Sequence, residues 1–587
     1  MARARFTSIL ATAVCLLAPA YASATDRYVT TTGTDSANSC MFPNTPCFSL
    51  QEAVNSSNPT GDTIHIGPGT YGAGVASTSK DIDFEGAGAG TLTSVAGATV
   101  INVAAAAAFT LTGGGTLRNL QVAGGASGAT GALTLQQPGT GPPVTYTLAN
   151  VIAIGNGCSG CRALEVTDPG FGAASLLTAN ITDSTFLSTG DGSSTAFIQN
   201  GNANFARTSV LSRDSSIGGL LIEFGALNFS DGAIGTAGAG GGGAEVGGGA
   251  TATLTRARLA GFQALLVDGG LAHASASVVD SVGVATLDGA IVRDDAALSV
   301  RGSTFVAEGT DAVAGADIEA SPTGDVSLNS VNSIFRVHGG SAPGFDIDLA
   351  GATGHAATFT ADHSSYTSVD TGGGTATPAG SATNIAGDPG FMDEAGGDFR
   401  LAAGSPLIDR GSDPLIGETD VTGVTRAVDG NCDGSSEPDI GGLEFIPACP
   451  PHSSPPALAV LSKVHMTHKR FRVGKPGAAR APKGTRFVYT LLGNGAKVTV
   501  TIDRPAAGRK KGKGCVKLRR GLHRSCTRHI RKGSLTKVSA IGRSSLPFSG
   551  KLRGRRLAPG RYRATLVAVN AAGGSRRRHL SFTIVRR

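Results

Sequence analysis

From about residue 116 the chain repeats itself. The segments TLRNLQVAGG, TLANVIAIGN, LTANITDSTF, ANFARTSVLS, ALNFSDGAIG, TLTRARLAGF, ASVVDSVGVA, LSVRGSTFVA and VSLNSVNSIFRV begin roughly 22 to 30 residues apart, the spacing of a solenoid. Within each, apolar positions alternate with polar ones, as in Ala179-Asn180-Ile181-Thr182-Asp183-Ser184-Thr185-Phe186, and Gly, Asn or Asp bound the run. One such strand cannot bury its apolar side alone. Stacked in register on the next coil, it pairs its backbone groups and turns its aliphatic side chains into a continuous interior. The composition agrees: 86 glycines, no tryptophan and 16% charged residues in 587 exclude a helical globule and predict an all-β chain with many turns.

The opening YVTTTGTDSANSCMFPNTPCFSLQEAVNSSNPTGDTIHIGPGTYG, together with the repeats, resembles the right-handed parallel β-helix proteins, the pectin-lyase-like group. The resemblance implies a short capping helix over SLQEAV, residues 49 to 54, and a first coil in Asp62 to Ile66 with Gly69 to Tyr71. Local chemistry points the same way: Ser49 followed three positions on by Glu52 is a capping box, and the helix would cover an otherwise unpaired solenoid end. The expected β-helix spans residues 25–383. Ten to fifteen coils at about 4.8 Å would give a rod of roughly 50 to 70 Å.

Residues 384–447 resemble the choice-of-anchor Q module, through DPGFMD, DFRLAAGSPLIDRG, DVTGVTR and PDIGGLEF, and are expected to cap the far end of the solenoid. A proline-rich linker, residues 448–459, follows. In residues 460–587 the alternating runs ATLVAV and LSFTIV flank NAAGG, a strand, hairpin turn and strand. This part resembles bacterial immunoglobulin-like or fibronectin-like sandwich modules, with a basic loop from Arg504 to Gly533.

Charge divides the chain at the same place. Residues 460–587 carry 34 Lys and Arg against one acid, Asp503, whereas residues 1–459 carry 16 bases against 42 acids. Two parts of opposite sign are joined. The basic run Arg509 to Lys532 lacks the interleaved aromatics of a nucleic-acid site, so the expected partners are polysaccharide or an anionic cell-wall polymer, not nucleic acid. A solvated loop is the competing reading of that run. The expected state is a monomer.

The first 24 residues, two arginines, an apolar run and Ala22-Ser23-Ala24, read as a signal peptide cleaved after Ala24, with Cys15 discarded. No later run reaches the 18 to 20 or so apolar residues that a membrane span needs. A secreted, extracellular or cell-surface protein follows. The remaining eight cysteines fall as Cys40/Cys47, Cys158/Cys161, Cys432/Cys449 and Cys515/Cys526, and short loops favour nearest-neighbour disulfides.

Chemical candidates are few. Asp429, Asn431 and Asp433 with Gly434 alternate as calcium-loop ligands do, but Ile440 stands where a bidentate carboxylate belongs, so a cysteine-pinned turn is the stronger reading and no cofactor is expected beyond a possible calcium ion. Cys158-Ser159-Gly160-Cys161 lacks a thioredoxin-like helix and is half a zinc site; a structural disulfide fits better. Asp294 and Asp295 form the only adjacent acidic pair in the solenoid, and Arg301 stands near one end of the next strand. They are the catalytic candidates if the chain is a lyase or hydrolase; a solvated turn is the default. His273, His338, His355 and His363 lie singly, not at metal-ligand spacing. The insertion at 235–250 reads as binding loop or flexible filler. The expected function is that of an exported β-helix protein, non-catalytic, that binds carbohydrate or wall polymers. The alternative is a polysaccharide lyase or glycoside hydrolase acting on acidic polysaccharide.

Overall fold

A computed structural model describes residues 24–586 apart from short internal segments, the longer of which are 126–130, 171–174, 214–217, 237–240, 340–343, 413–417, 449–456 and 475–481. Residues 1–23, expected as a signal peptide, and most of the expected linker, residues 449–456, lie outside the described residues. The chain divides into two compact units, Met1–Ala448 and Cys449–Arg587.

In the first unit 33 described strands join one sheet, and those from coil to coil pair in parallel. They form three ladders, so the repeat is a right-handed parallel β-helix, the hand that parallel crossovers take. The first ladder runs from Asp26–Val29 to Thr375–Ala376. The second runs from Gly69–Tyr71 to Ile334–Gly339, and the third from Val75–Thr78 to Val369–Asp370. Register explains why the repeats alternate. Leu117, Leu148, Ile181, Phe205, Phe229, Leu254, Val278 and Val300 stack directly on one another, each at most 2% exposed. Each such side chain contributes about 1.5–3 kcal/mol by leaving water. Outward on the same ladder, Asn204 donates to Asn180 at 2.9 Å and Asn228 to Asn204 at 2.8 Å, an amide ladder on the solvated face.

Each repeat breaks at its middle, where one residue takes a left-handed backbone and turns the first ladder into the second. That residue is Asn119, Asn150, Asp183, Arg207, Asp231, Arg256, Asp280, Gly302, Asn332 and His363 in successive coils, with φ between 46° and 58°. Asn and Asp tolerate this region best. Their side chains form a ladder of alternating charge: Arg207 bonds Asp183 at 2.6 and 2.7 Å, and Arg256 grips Asp231.

The helix Leu50–Ser56 packs Leu50, Ala53 and Val54 into the core. Its capping box is half formed. The Ser49 hydroxyl accepts from the Glu52 amide at 3.2 Å, but the Ser49 amide donates to Asp35, not to Glu52.

Residues 384–447 depart from the expected end cap. Asn384 and Ile385 still continue the last coil, through Ser364 and Ser365. The chain then doubles back along the side. Ser412 bonds Asn332, the Gly442 amide donates to Thr304, Arg301 pairs with Glu418 at 3.0 Å, and Arg336 pairs with Glu394 at 3.0 Å. Leu401, Leu407, Ile408 and Ile440 form a small core with Ile334. The apolar residues of this segment are too few for a core of their own, so they borrow one from the solenoid wall. The acids of its motifs fold the segment on itself: Asp420 accepts from the Thr422, Val424 and Glu444 amides, and Asp439 from the Asp409 and Phe445 amides.

The second unit packs a three-stranded sheet, Val460–Met466, Thr485–Leu492 and Gly542–Phe548, against a seven-stranded one. Phe471, Phe487, Phe548, Tyr562 and Phe582 fill the space between, with ring centroids 5.5 to 6.0 Å apart along the series. The strands that carry ATLVAV and LSFTIV, Gly560–Asn570 and Arg578–Ile584, do pair antiparallel, from Gly560 opposite Ile584 to Leu566 opposite Arg578. The expected basic loop is instead mostly strand. Ala496–Lys511 pairs with Ser525–Ser539 from Ala496 opposite Ser539 to Arg509 opposite Ser525, and Gly560–Asn570 accompanies it only as far as Asp503. Alternating Val498, Val500 and Ile502 begin the strand in the core, and the cationic residues continue it beyond the sheet as a ribbon.

Candidate functional site

The third ladder gathers the chemistry of the first unit. Its inward positions, Val166, Ile198, Ile222, Val246, Val267, Val292, Ile318 and Leu349, are fully buried. One residue earlier, on the other face of each strand and in register, stand Glu165, Phe197, Leu221, Glu245, Leu266, Ile291, Asp317 and Asp348, continued by Asp370; Phe197, Leu266 and Ile291 are themselves only 4–8% exposed. The row thus has an apolar middle and an acidic end. Beside it run Gln199, Glu223, Gly247, Asp268, Arg293 and Glu319. Arg162 caps the other end, its guanidinium 4.0 Å from the centre of the Phe197 ring.

At the acidic end Asp317 stacks on Asp348 and Asp348 on Asp370, at the inter-strand spacing of about 4.8 Å. Like charges directly opposite one another repel. Burial, then Glu319, Asp288 and Asp348, push the Asp317 carboxyl up to about 7. Asp288, 4% exposed, is pushed up to about 6 by burial, against a bond from the Ala314 amide at 3.1 Å. Burial, Asp370 and Glu319 raise Asp348 as well. Asp317 therefore exchanges its proton near neutral pH, and a neutral carboxyl beside a carboxylate is what acid and base catalysis requires. Further along, Asp268 takes both Arg293 Nε and Nη2 at 2.8–2.9 Å. Burial and Asp268 raise Glu245.

The residues singled out in sequence fall elsewhere. Asp294 and Asp295 make the left-handed turn before the strand Ala296–Arg301, with φ of 57° and 64°. Asp295 meets His273 at 3.0 Å. Arg301 is at the other end of that strand, about 17 Å away at 3.3 Å per residue, and is held by Glu418. The structure does not bring the three together. His338, His355 and His363 each lie against one carboxylate, Glu394, Asp325 and Asp362 respectively.

In the loop at 429–435 the carboxylates turn on their own backbone. Asp429 accepts from the Asp433 and Gly434 amides, Asn431 Oδ1 from the Asp433 amide, and Asp433 from the Ser435 amide, all at 2.8–3.0 Å. Such contacts build a turn. Among the described residues no group of three His, Cys, Asp or Glu side chains is placed to hold a metal ion. Cys40–Cys47 and Cys515–Cys526 are disulfides. Cys161 and Cys432 are also disulfide-bonded, and their expected partners Cys158 and Cys449 lie outside the described residues. No helix among the described residues is long and apolar enough to cross a membrane.

Sequence reasoning missed the acidic row because its members are 22 to 31 residues apart: Asp348 pairs with Asp317 and Asp370 across whole coils. The signal existed in phase. Asp317 and Asp348 each sit one residue before a buried aliphatic residue of their own repeat, Ile318 and Leu349.

No family model matches the chain, and no curated protein sequence matches it. Among solved structures the crystal structure of pectate lyase Pel9A is similar, at 14% sequence identity and a TM-score of 0.36, over 72% of this chain and 97% of that one. A similarity of that size says nothing about activity.

Proposed function

We propose that this is an exported, surface-associated protein whose β-helix binds polysaccharide along the outward face of the third ladder. The observation that carries this reading is the row from Phe197 to Asp348, where apolar residues and carboxyl groups repeat at one strand spacing alongside Gln199, Glu223, Asp268 and Arg293. Sugars offer apolar ring faces and hydroxyls; Leu221 is the apolar member of the row most open to the first, Phe197, Leu266 and Ile291 being 4–8% exposed, and the polar residues beside it answer the second. Its acidic end repels uronates, so a neutral or amine-bearing glycan is the expected ligand of this face. Export rests on the leader-like residues 1–24 and on the disulfides, which persist in oxidising compartments. The segment 384–447 is read as a choice-of-anchor Q-like module and the second unit as an immunoglobulin-like sandwich. The excess of 34 bases over one acid in that unit fits retention on an anionic wall polymer by contacts that salt releases.

Glycoside hydrolysis is the second reading, favoured by the stacking of Asp317 on Asp348 and by the raised carboxyls of Asp288, Asp317 and Asp348. The lyase version has less support, because Arg301 is paired with Glu418 and stands a strand's length from Asp294 and Asp295. Purified protein incubated with a panel of neutral, amine-bearing and uronate polymers separates the readings. Retention without new reducing ends supports binding; new reducing ends abolished by Asp317→Asn support hydrolysis. Failure to retain any neutral or amine-bearing polymer, or equal retention by a variant with Phe197→Ser and Asp348→Asn, would remove the proposed face.

A further inference from the structure

We propose that the second unit holds a discrete site for the phosphate groups of a phosphodiester-linked glycan or polyol polymer, in the cleft between the base of the long ribbon and the tight hairpin at 551–556. The proposal rests on the reading of this unit as the polyanion-binding part and names its site and ligand chemistry. The cleft encloses about 720 Å³ and is lined by Arg504, Lys532, Arg553, Arg555 and Arg556, with Tyr562 at its floor. That volume is in the range of ligand sites. No carboxylate lines it. The one acid of residues 460–587, Asp503, pairs with Arg563 at 3.3 Å instead. None of the five cations makes an ion pair or hydrogen bond among the described residues.

Three features mark the cleft as more than part of a generally basic surface. The cations converge from three separate stretches of chain, Arg504, Lys532 and residues 553–556, of which only Lys532 belongs to the basic run that stands out in sequence. Lys551 lies directly opposite Arg556 across the short hairpin, a like-charge pair that an anion would relieve. At the hairpin tip Arg553 and Gly554 have φ of 47° and 79°, the two-residue turn whose first position ordinarily takes Asn, Asp or Gly. A long cationic side chain is held there in a conformation disfavoured for it, at the mouth of the cleft, and such placements cluster at ligand sites. Four of the five cations are arginines, whose forks match phosphate oxygens in pairs. A nucleic acid offers the same phosphates but also bases. The cleft's aromatic ring, Tyr562, is 2% exposed and stacked on Phe582 at 5.5 Å, so no ring face is open for stacking.

The test titrates the full chain with long-chain sodium polyphosphate, polygalacturonate and single-stranded DNA at several salt concentrations, following bound polymer by fluorescence anisotropy. Three proteins are compared: wild type, the cleft variant Arg553→Ser with Arg555→Ser and Arg556→Ser, and the ribbon-tip variant Lys510→Ser with Lys511→Ser and Lys513→Ser. The expected result is tightest binding of polyphosphate, a loss of tenfold or more in the cleft variant, and a salt dependence shallower by about two charges. The tip variant should lose less than threefold. Equal losses in the two variants would overturn the site while leaving polyanion binding intact. Tighter binding of DNA or polygalacturonate than of polyphosphate would overturn the ligand chemistry. Absence of binding to all three polymers would overturn the polyanion reading on which the site rests.

Discussion

Arg426 completes a charge ladder that the solenoid leaves open, bonding Asp280 at 2.9 Å with both side chains 1% exposed. The corner ladder alternates Asp183, Arg207, Asp231, Arg256 and Asp280, and the next coil supplies Gly302. The guanidinium from the docked segment takes the space that a side chain there would fill: a Cβ on Gly302 would come within 2.8 Å of Arg426 Nη2. Arg426 also donates to the carbonyls of Gly302 and Gly441 and to Glu444. Glu444 is pushed up to about 8, by burial first and then by Asp439, and burial raises Asp280 as well, so both carboxyls depend on the guanidinium between them.

Arg426→Ala should therefore destabilise the first unit by about 3–5 kcal/mol, because it strands a buried carboxylate. Urea denaturation followed by circular dichroism measures it. Gly302→Val should mimic the loss by expelling the guanidinium, while Asp429→Ala in the exposed turn should cost far less.

The acidic row makes stability depend on pH. Asp317 and Asp288 bind protons more tightly folded than unfolded, with folded values of about 7 and about 6 against an ordinary value of 3.8. Their contribution is fully present below about pH 4 and is lost as pH rises through 6 and 7. The melting temperature of the first unit should fall between pH 5 and pH 8, about 2–4 °C for each kcal/mol lost. Asp317→Asn should flatten that slope and raise the melting temperature at pH 8. A melting temperature that climbs across this window in the wild type would contradict the assignment.

The period and the inward alternation were legible because they are local: each repeat shows its own buried positions, and Ser49 with Glu52 marks a helix start without help from the rest of the chain. What joins distant coils was not. The path of residues 384–447 depends on Gly302 being empty, Asn332 being free to bond Ser412, and Ile334 offering an apolar patch, none of which the segment's own sequence reveals. The five-cation cleft was hidden for the same reason, since Arg504 and Arg555 meet only after two sheets have packed. The acids Asp294 and Asp295 stood out by adjacency along the chain, whereas the parallel ladder makes neighbours of Asp317 and Asp348.

The aromatic column Phe186, Phe205 and Phe229, with ring centroids 6.1 and 5.8 Å apart, fills the solenoid where three coils meet. Phe205→Ala should cost about 3–5 kcal/mol, the lost transfer plus a cavity. Because each coil contacts only its neighbours, the loss should appear as faster amide exchange in residues near 178–230 with the C-terminal sandwich unaffected. Uniform acceleration along the whole chain would mean that the solenoid opens as one unit.

The corner ladder provides its own control. Arg207 grips Asp183 through two nitrogens at 2.6 and 2.7 Å, geometry as good as that of Arg426 on Asp280, yet its side chain is 59% exposed and that of Asp183 53%. Water and salt screen the exposed pair, and its partner is rehydrated when the arginine is removed. Arg207→Ala should leave the melting temperature unchanged, whereas Arg426→Ala should lower it sharply. If the two variants lost the same stability, burial would not be what gives the Arg426 contact its strength, and the docking of residues 384–447 would have to be held by its apolar contacts with Ile334 instead.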